Sequence, residues 1–111
     1  MSEQQDQLPE VLTQFARQHP EVWKAYNALG RAVAQAGPLD EKTQRLVKLA
    51  IAIGAGRTGA VHSHVRRAVQ EGLTPEEILQ VGILAIPTIG WPGAFAAITW
   101  IEDELLPDGG E

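Results

Sequence analysis

The residues of this chain best suited to chemistry are two histidines, His62 and His64, near the start of a predicted helix. At about 100° per residue they lie about 200° apart around a helix, so they cannot bind one ligand together. Each flanks an apolar stripe that includes Val61 and Val65. A half-buried histidine there titrates near neutral pH, which suits proton transfer. The spacing leaves open the alternative that both histidines only pack at the edge of the core.

Arg57 lies seven positions before His64, just ahead of the same helix. If the helix reaches back that far, both side chains project to one side, roughly 10 Å apart along the axis. An arginine can donate two parallel hydrogen bonds to a carboxylate. Arg57 would then hold a small dicarboxylate that His64 protonates. The alternative is a solvated arginine beside a loop.

The chain contains no cysteine, which excludes disulfides, thiolate nucleophiles and cysteine-bound metals. This composition fits a reducing compartment, and the polar, acidic N-terminus shows no signal peptide, so we expect a cytoplasmic protein. The His-x-His pair at 62–64 has no third ligand nearby, so we predict no metal site. Glycines at 54, 56 and 59 match part of a dinucleotide motif but follow a helix instead of a strand, so we expect no cofactor.

The charge balance also limits the classes of partner. Nine Lys and Arg residues stand against 14 Asp and Glu residues, which gives a formal net charge of -5 and argues against a nucleic-acid partner. Residues 81–101 carry no charge, but prolines and a Gly-Trp-Pro turn at 90–92 interrupt them. We therefore expect two short buried helices and no membrane span.

Capped helical patterns recur along the chain and strand patterns are absent, so we predict an all-α bundle of five to six helices. Asp40, Thr58 and Thr74 are the predicted N-caps, and Glu77 completes a capping box with Thr74. Pro87 is expected to kink or end the fifth helix. We expect one domain at residues 8–106, a disordered N-terminus at 1–7 and a tail at 107–111. The helices are predicted at about 9–18, 20–36, 41–53, 58–72, 75–86 and 92–105.

The third and fifth predicted helices carry more apolar residues than one small bundle buries. A helix that is apolar nearly all round is usually buried, so we expect the third to be the central core helix. Part of the apolar surface is predicted to be an interface between copies of the chain.

Four motifs in this order resemble the carboxymuconolactone decarboxylase and alkylhydroperoxidase (AhpD-like) superfamily, and the likeness covers about residues 8–106. They are L-D-x-K-T-x-x-L-V-x-L-A at 39–50, H-x-x-x-A-x-x-x-G at 64–72, T-P-E-E-I at 74–78 and G-W-P-G-A at 90–94. The resemblance implies an all-helical domain that assembles into trimers or hexamers.

The peroxidase branch of that superfamily has a glutamate, a C-x-x-C pair and a histidine. In this chain the glutamate position falls on Arg45, the two cysteine positions fall on Arg57 and Ala60, and the histidine is kept as His64. A cysteine-based peroxide cycle needs a thiolate nucleophile and a resolving thiol. We therefore expect no thiol peroxidase activity.

The decarboxylase branch is the nearer match, because it too lacks the cysteine pair and is similar at Gly56-Arg57, at His64 and at the Gly-x-Pro turn. It often has a glutamate at the position of Ala60. The resemblance implies a cofactor-free lyase acting on a small carboxylic acid or lactone, whose carbonyl absorbs the electrons left by the departing CO2. His64 would deliver the proton.

The substrate-binding residues that the resemblance and the spacing suggest are Arg57, Arg45 and Trp91. The competing hypothesis is a non-catalytic relative, an oligomeric scaffold or small-ligand binder that has kept the fold and lost the site.

Overall fold

We describe residues 10–106 in a computed structural model. This part of the chain contains helices and no strand, which confirms the predicted all-α class. It forms two compact units that divide after Pro38. Residues 1–7 and 107–111, predicted to be disordered, lie outside the described residues, and the single domain stays a prediction. In chain order the helices are α1 (Glu10–Gln18), α2 (Pro20–Ala34), α3 (Glu41–Gly54), α4 (Thr58–Gln70), α5 (Pro75–Leu84), α6 (Ile86–Ile89) and α7 (Trp91–Leu105).

Six of these helices correspond to the six predicted segments, and α6 is a separate helix of four residues. Proline lacks the backbone N–H that a helix interior needs, so the fifth segment ends before Pro87 and restarts with that residue in the first turn of α6. Gly90 then has a φ of +98°, which glycine adopts without strain, and α7 begins at Trp91. None of the helices between residues 10 and 106 has the length and hydropathy that crossing a membrane requires.

The first unit contains α1 and α2, which meet at His19 and Pro20. His19 is exposed at this junction, and the centroid of its ring lies 4.9 Å from that of Phe15. Neither helix has a buried residue. Their large apolar side chains are therefore exposed, at Val11, Leu12, Phe15, Val22, Tyr26, Leu29 and Val33.

The second unit is built around α4. Val61, Val65 and Ala68 are fully buried, because spacings of four and three residues place them on one face of that helix. Fully buried side chains from the three neighbouring longer helices complete the core: Leu49, Ile78, Ala97 and Ile101.

Helix α3 is buried on one side only. Leu49, Ala52 and Ile53 lie in the core, whereas Val47 and Ile51 are 42% and 65% exposed. The prediction of a helix buried nearly all round is therefore wrong for the described chain. Within the described second unit, the side of α3 that carries Val47 and Ile51 is exposed.

Two of the three predicted helix caps are confirmed. Asp40 accepts a hydrogen bond from the backbone N–H of Thr43 at 2.8 Å, and Thr74 forms the complete capping box with Glu77. The third is wrong, because Thr58 is the first residue of α4 and the capping position is Arg57, which makes no side-chain cap.

Candidate functional site

Helices α3 and α4 bring an arginine, a histidine and a glutamate together. Between the helices the chain turns at Gly56, whose φ of +67° lies in the left-handed region that favours glycine. Helix α4 then packs along α3. His64 of α4 and Glu71, the residue that follows α4, lie on the same side, since seven residues make about two turns. Both side chains meet Arg45 of α3.

The guanidinium of Arg45 is held by three hydrogen bonds. Its Nε and Nη2 donate to the two carboxylate oxygens of Glu71, at 3.0 and 2.8 Å, and its Nη1 lies 2.7 Å from Nδ1 of His64. The two bonds to Glu71 form the parallel geometry that arginine and carboxylate prefer. Only 11% of the Arg45 side chain is exposed. The contacts therefore fix this side chain against α4.

This contact determines which nitrogen of His64 carries the proton. A guanidinium only donates hydrogen bonds, so Nδ1 of His64 must accept from Arg45. A neutral imidazole then carries its proton on Nε2. Nε2 has no hydrogen-bond partner within the residues that the structure describes. Its N–H is therefore available to a ligand.

The surroundings of His64 also keep the imidazole neutral. Burial, followed by the positive charges of Arg45, Arg67 and Lys48, lowers the pKa of His64 to about 4, and Glu71 opposes this with a smaller effect. At neutral pH the ring is therefore an uncharged hydrogen-bond donor. The spacing of the histidines predicted that His64 titrates near neutral pH. That prediction took no account of the three cations, because two of them, Arg45 and Lys48, come from α3.

The other predicted site residues do not meet His64. Arg57 is exposed at the start of α4, and Trp91 is exposed and stacks on Phe95 with ring centroids 5.0 Å apart. No hydrogen bond, ion pair or ring contact joins either residue to His64 in the described part of the chain. Only Arg45, of the three predicted substrate-binding residues, contacts the histidine.

The second histidine has a separate set of partners. Nδ1 of His62 donates to Glu104 of α7 at 2.7 Å, and Nη1 of Arg66 donates to the same carboxylate oxygen at 3.2 Å. His62 thus connects α4 to α7, on the side of α4 away from His64. Within residues 10–106 there is no group of three His, Asp or Glu side chains that could hold a metal ion.

Sequence reasoning missed Glu71 and Glu104. The spacing of seven residues from His64 to Glu71 on one predicted helix was a usable signal. No comparable signal existed for Glu104, which lies 42 residues from His62.

A cavity of about 620 Å³ lies between α3, α5 and α6, away from the histidines. It is lined mainly by apolar side chains, among them Leu46, Val47, Val81 and Leu84. None of the predicted site residues lines it. Val47 and Arg45 are about 200° apart around α3, so this cavity and the His64 cluster occupy different sides of that helix.

Comparison with known proteins finds one matching family and several similar proteins. The sequence model described as the carboxymuconolactone decarboxylase family matches residues 20–103. An uncharacterized protein of Methanocaldococcus jannaschii is 34% identical over 79 residues, which cover 71% of this chain and 74% of that protein. An uncharacterized protein of Haemophilus influenzae is also 34% identical, over 55 residues that cover 50% of this chain and 49% of its own length. The chain thus spans about half the length of this second relative.

Two crystal structures share the fold. A carboxymuconolactone decarboxylase family protein from Legionella pneumophila superposes with a TM-score of 0.69 at 25% identity, covering 86% of this chain and 88% of that chain. A family protein from Thermotoga maritima superposes with a TM-score of 0.63 at 26% identity, covering 92% of this chain and 91% of that chain.

Proposed function

Because the chain belongs to the carboxymuconolactone decarboxylase family, we propose that it binds a small unsaturated carboxylic acid or lactone at His64 and acts on it as a cofactor-free lyase. The observation that carries this proposal is the free Nε2–H of an imidazole that Arg45 keeps in one tautomer. We expect no thiol peroxidase activity, because a thiol-based peroxide cycle needs cysteines and this sequence has none.

The proposed role of His64 is to donate a hydrogen bond to the lactone carbonyl. When the bond between the ring carbon and the carboxylate breaks, its electron pair moves to the carbonyl oxygen and CO2 leaves. A fixed N–H at that oxygen stabilises the developing negative charge. Water then protonates the ring carbon next to the carbonyl, and the electron pair on oxygen returns to re-form the carbonyl. A neutral imidazole is a poor acid, so the geometry favours this role over the proton delivery expected from the sequence.

Arg57 and Trp91 stay predicted substrate-binding residues. Arg45 is better described as a positioning residue, because Glu71 and His64 already occupy three of its N–H donors. We also propose that the chain forms homo-oligomers through its exposed apolar surface. We further propose that it acts in the cytoplasm, because proteins of that reducing compartment rarely contain disulfides.

A non-catalytic small-ligand binder is the second candidate. The cavity between α3, α5 and α6 is apolar, and His64 does not line it. Such a cavity has the size and lining of many ligand sites.

The test is CO2 release from carboxymuconolactone by the purified protein, the His64→Ala variant and the His19→Ala variant as control. We expect release by the wild type and the control, and a loss of about 100-fold in His64→Ala, the size of an oxyanion-type donor. No release by the wild type, with binding to the lactone intact, would support the second candidate instead.

A further inference from the structure

We propose that Lys48 and Arg67 hold the carboxylate of the ligand at the His64 site. This inference rests on the proposed function and names the residues that give the site its preference for an acid.

The two residues come from the two helices that form the site, one from each, and both charges act on the imidazole. Lys48 follows Arg45 by three residues on α3, and Arg67 follows His64 by three residues on α4. Residues three apart are neighbours on a helix surface. Because Arg45 and His64 are in contact, Lys48 and Arg67 lie about one helical turn from that contact, on α3 and on α4 respectively. Both side chains are partly buried there.

The charges at this junction do not cancel. Arg45, Lys48 and Arg67 contribute three positive charges and Glu71 contributes one negative charge, so two positive charges remain in a chain whose formal net charge is -5. Glu71 is paired with Arg45. Lys48 and Arg67 make no ion pair with any carboxylate in residues 10–106.

Two uncompensated, partly buried cations beside a neutral N–H donor suit a particular ligand. A carboxylate satisfies the cations, because hydrogen bonds between charged groups are stronger than neutral ones. A carbonyl a few bonds away satisfies the Nε2–H of His64. The chemical class is therefore a small acid that also carries a carbonyl. Two positive charges are too few for a nucleic-acid backbone, which a longer basic surface would bind.

The test compares two probes that differ only in charge. The first is a five-membered unsaturated lactone with one acetate side chain, and the second is its methyl ester. Binding is measured by calorimetry and by the NMR shift of His64 Nε2, for the wild type and for Lys48→Gln/Arg67→Gln. The control, Lys24→Gln/Arg31→Gln, also replaces one lysine and one arginine by glutamine, but on α2.

We expect the double variant to bind the acid at least about tenfold more weakly, the loss typical of a hydrogen bond to a charged group. The double variant should bind the ester as tightly as the wild type does. For the wild type, added salt should weaken binding of the acid more than binding of the ester. The control should bind both probes like the wild type.

Three other outcomes would overturn the inference. Equal binding of the acid by the wild type and the double variant would remove Lys48 and Arg67 from the site and leave His64 as the proposed ligand site. Equal losses for acid and ester would mean that the cations act through the imidazole or the fold. Failure of both probes to shift His64 would overturn the proposed function, and the inference with it.

Discussion

At the scale of single residues, the central feature is the exchange of partners around His64. The resemblance to the peroxidase branch places a glutamate of that branch at the position of Arg45. A carboxylate beside an imidazole raises its pKa, whereas Arg45 helps to lower the pKa of His64 to about 4. The histidine of that pattern is thus kept, while the charge of the side chain beside it is opposite in sign. A relay of protons through His64 is disfavoured, and a fixed hydrogen bond from Nε2 is favoured.

Replacing His64 by glutamine separates these two roles. A glutamine side chain can accept from Arg45 through its oxygen and donate to the ligand through its nitrogen, but it cannot transfer a proton at neutral pH. We expect His64→Gln to keep CO2 release within about tenfold of the wild type, while His64→Ala loses about 100-fold. Equal losses in steady-state rates for both variants would show that proton transfer is required.

The lowered pKa of His64 also predicts how stability depends on pH. An unfolded histidine has a pKa of 6.5 and the folded His64 about 4, so between these values the unfolded chain binds the extra proton. The free energy of unfolding should therefore fall as the pH drops from 6.5 towards 4. Denaturant titrations of His64→Gln should show a shallower fall over this window.

The carboxyls of Asp40 and Glu77 add a second effect at acidic pH, which the wild type and His64→Gln share. A backbone hydrogen bond from Thr43 lowers the pKa of Asp40, and a hydrogen bond from Lys42 lowers that of Glu77. The ordinary pKa values of these carboxyls, 3.8 and 4.5, are lower than that of histidine, so their contribution to stability is lost mainly at lower pH than that of His64. Identical pH profiles for the wild type and His64→Gln would contradict the neutral histidine.

At the scale of helices, short sequence motifs were enough to predict where helices start, whereas the site depends on how two helices pack together. Thr74 and Glu77 mark the start of α5, because the hydrogen bonds of a capping box form between residues only three positions apart. The pairing of Arg45 with Glu71, 26 residues apart, depends on how α3 and α4 pack. Helical periodicity does not tell which residues of α3 face which residues of α4. The sequence analysis therefore placed Arg57, and not Arg45, beside His64.

The close packing of α5 against α7 gives a prediction at this scale. A Cβ added to Gly82 would lie 2.9 Å from Cγ1 of Ile98 and 3.1 Å from Cδ1 of Ile101. Alanine favours a helix by about 1 kcal/mol over glycine, but overpacking costs about 1–3 kcal/mol. We expect Gly82→Ala to lower the free energy of unfolding by about 1 kcal/mol.

The control for this variant is Gly59→Ala in α4, where an added Cβ meets nothing within 4 Å. This change should leave the free energy of unfolding unchanged or raise it. A Gly82→Ala protein that is more stable than the wild type in denaturant titrations would show that α5 and α7 separate easily.

At the scale of the whole molecule, the exposed apolar surface remains to be explained. Ile51 of α3 is 65% exposed and Leu84 of α5 is 61% exposed, and other large apolar side chains on these helices are also exposed. Contiguous apolar surface of this kind usually marks an interface. Composition predicted this excess, because a chain of 111 residues has a small core. Its partner could not be read from composition.

We expect the protein to form trimers or hexamers at micromolar concentration and Ile51→Glu/Leu84→Glu to shift it towards smaller species. A charge placed in an apolar interface must be desolvated without a partner, which opposes assembly. Light scattering coupled to size exclusion measures the mass. Lys24→Glu, a charge change on α2, serves as control.

A wild-type mass equal to the 12.0 kDa monomer would contradict the predicted assembly. An unchanged oligomer in the double variant, with the fold intact by circular dichroism, would place the interface elsewhere.

The most direct test of the account is a nitrogen-15 NMR titration of the His64 side chain, assigned with His64→Gln. At pH 7 we expect a neutral ring with its proton on Nε2, a pKa of about 4, and a pKa that rises in Arg45→Gln but not in Lys42→Gln. Adding the lactone acid should shift the Nε2 resonance. A pKa near 6.5, a proton on Nδ1, or an Nε2 resonance that does not respond to the acid would contradict the claim that Arg45 holds His64 as a neutral donor for a ligand.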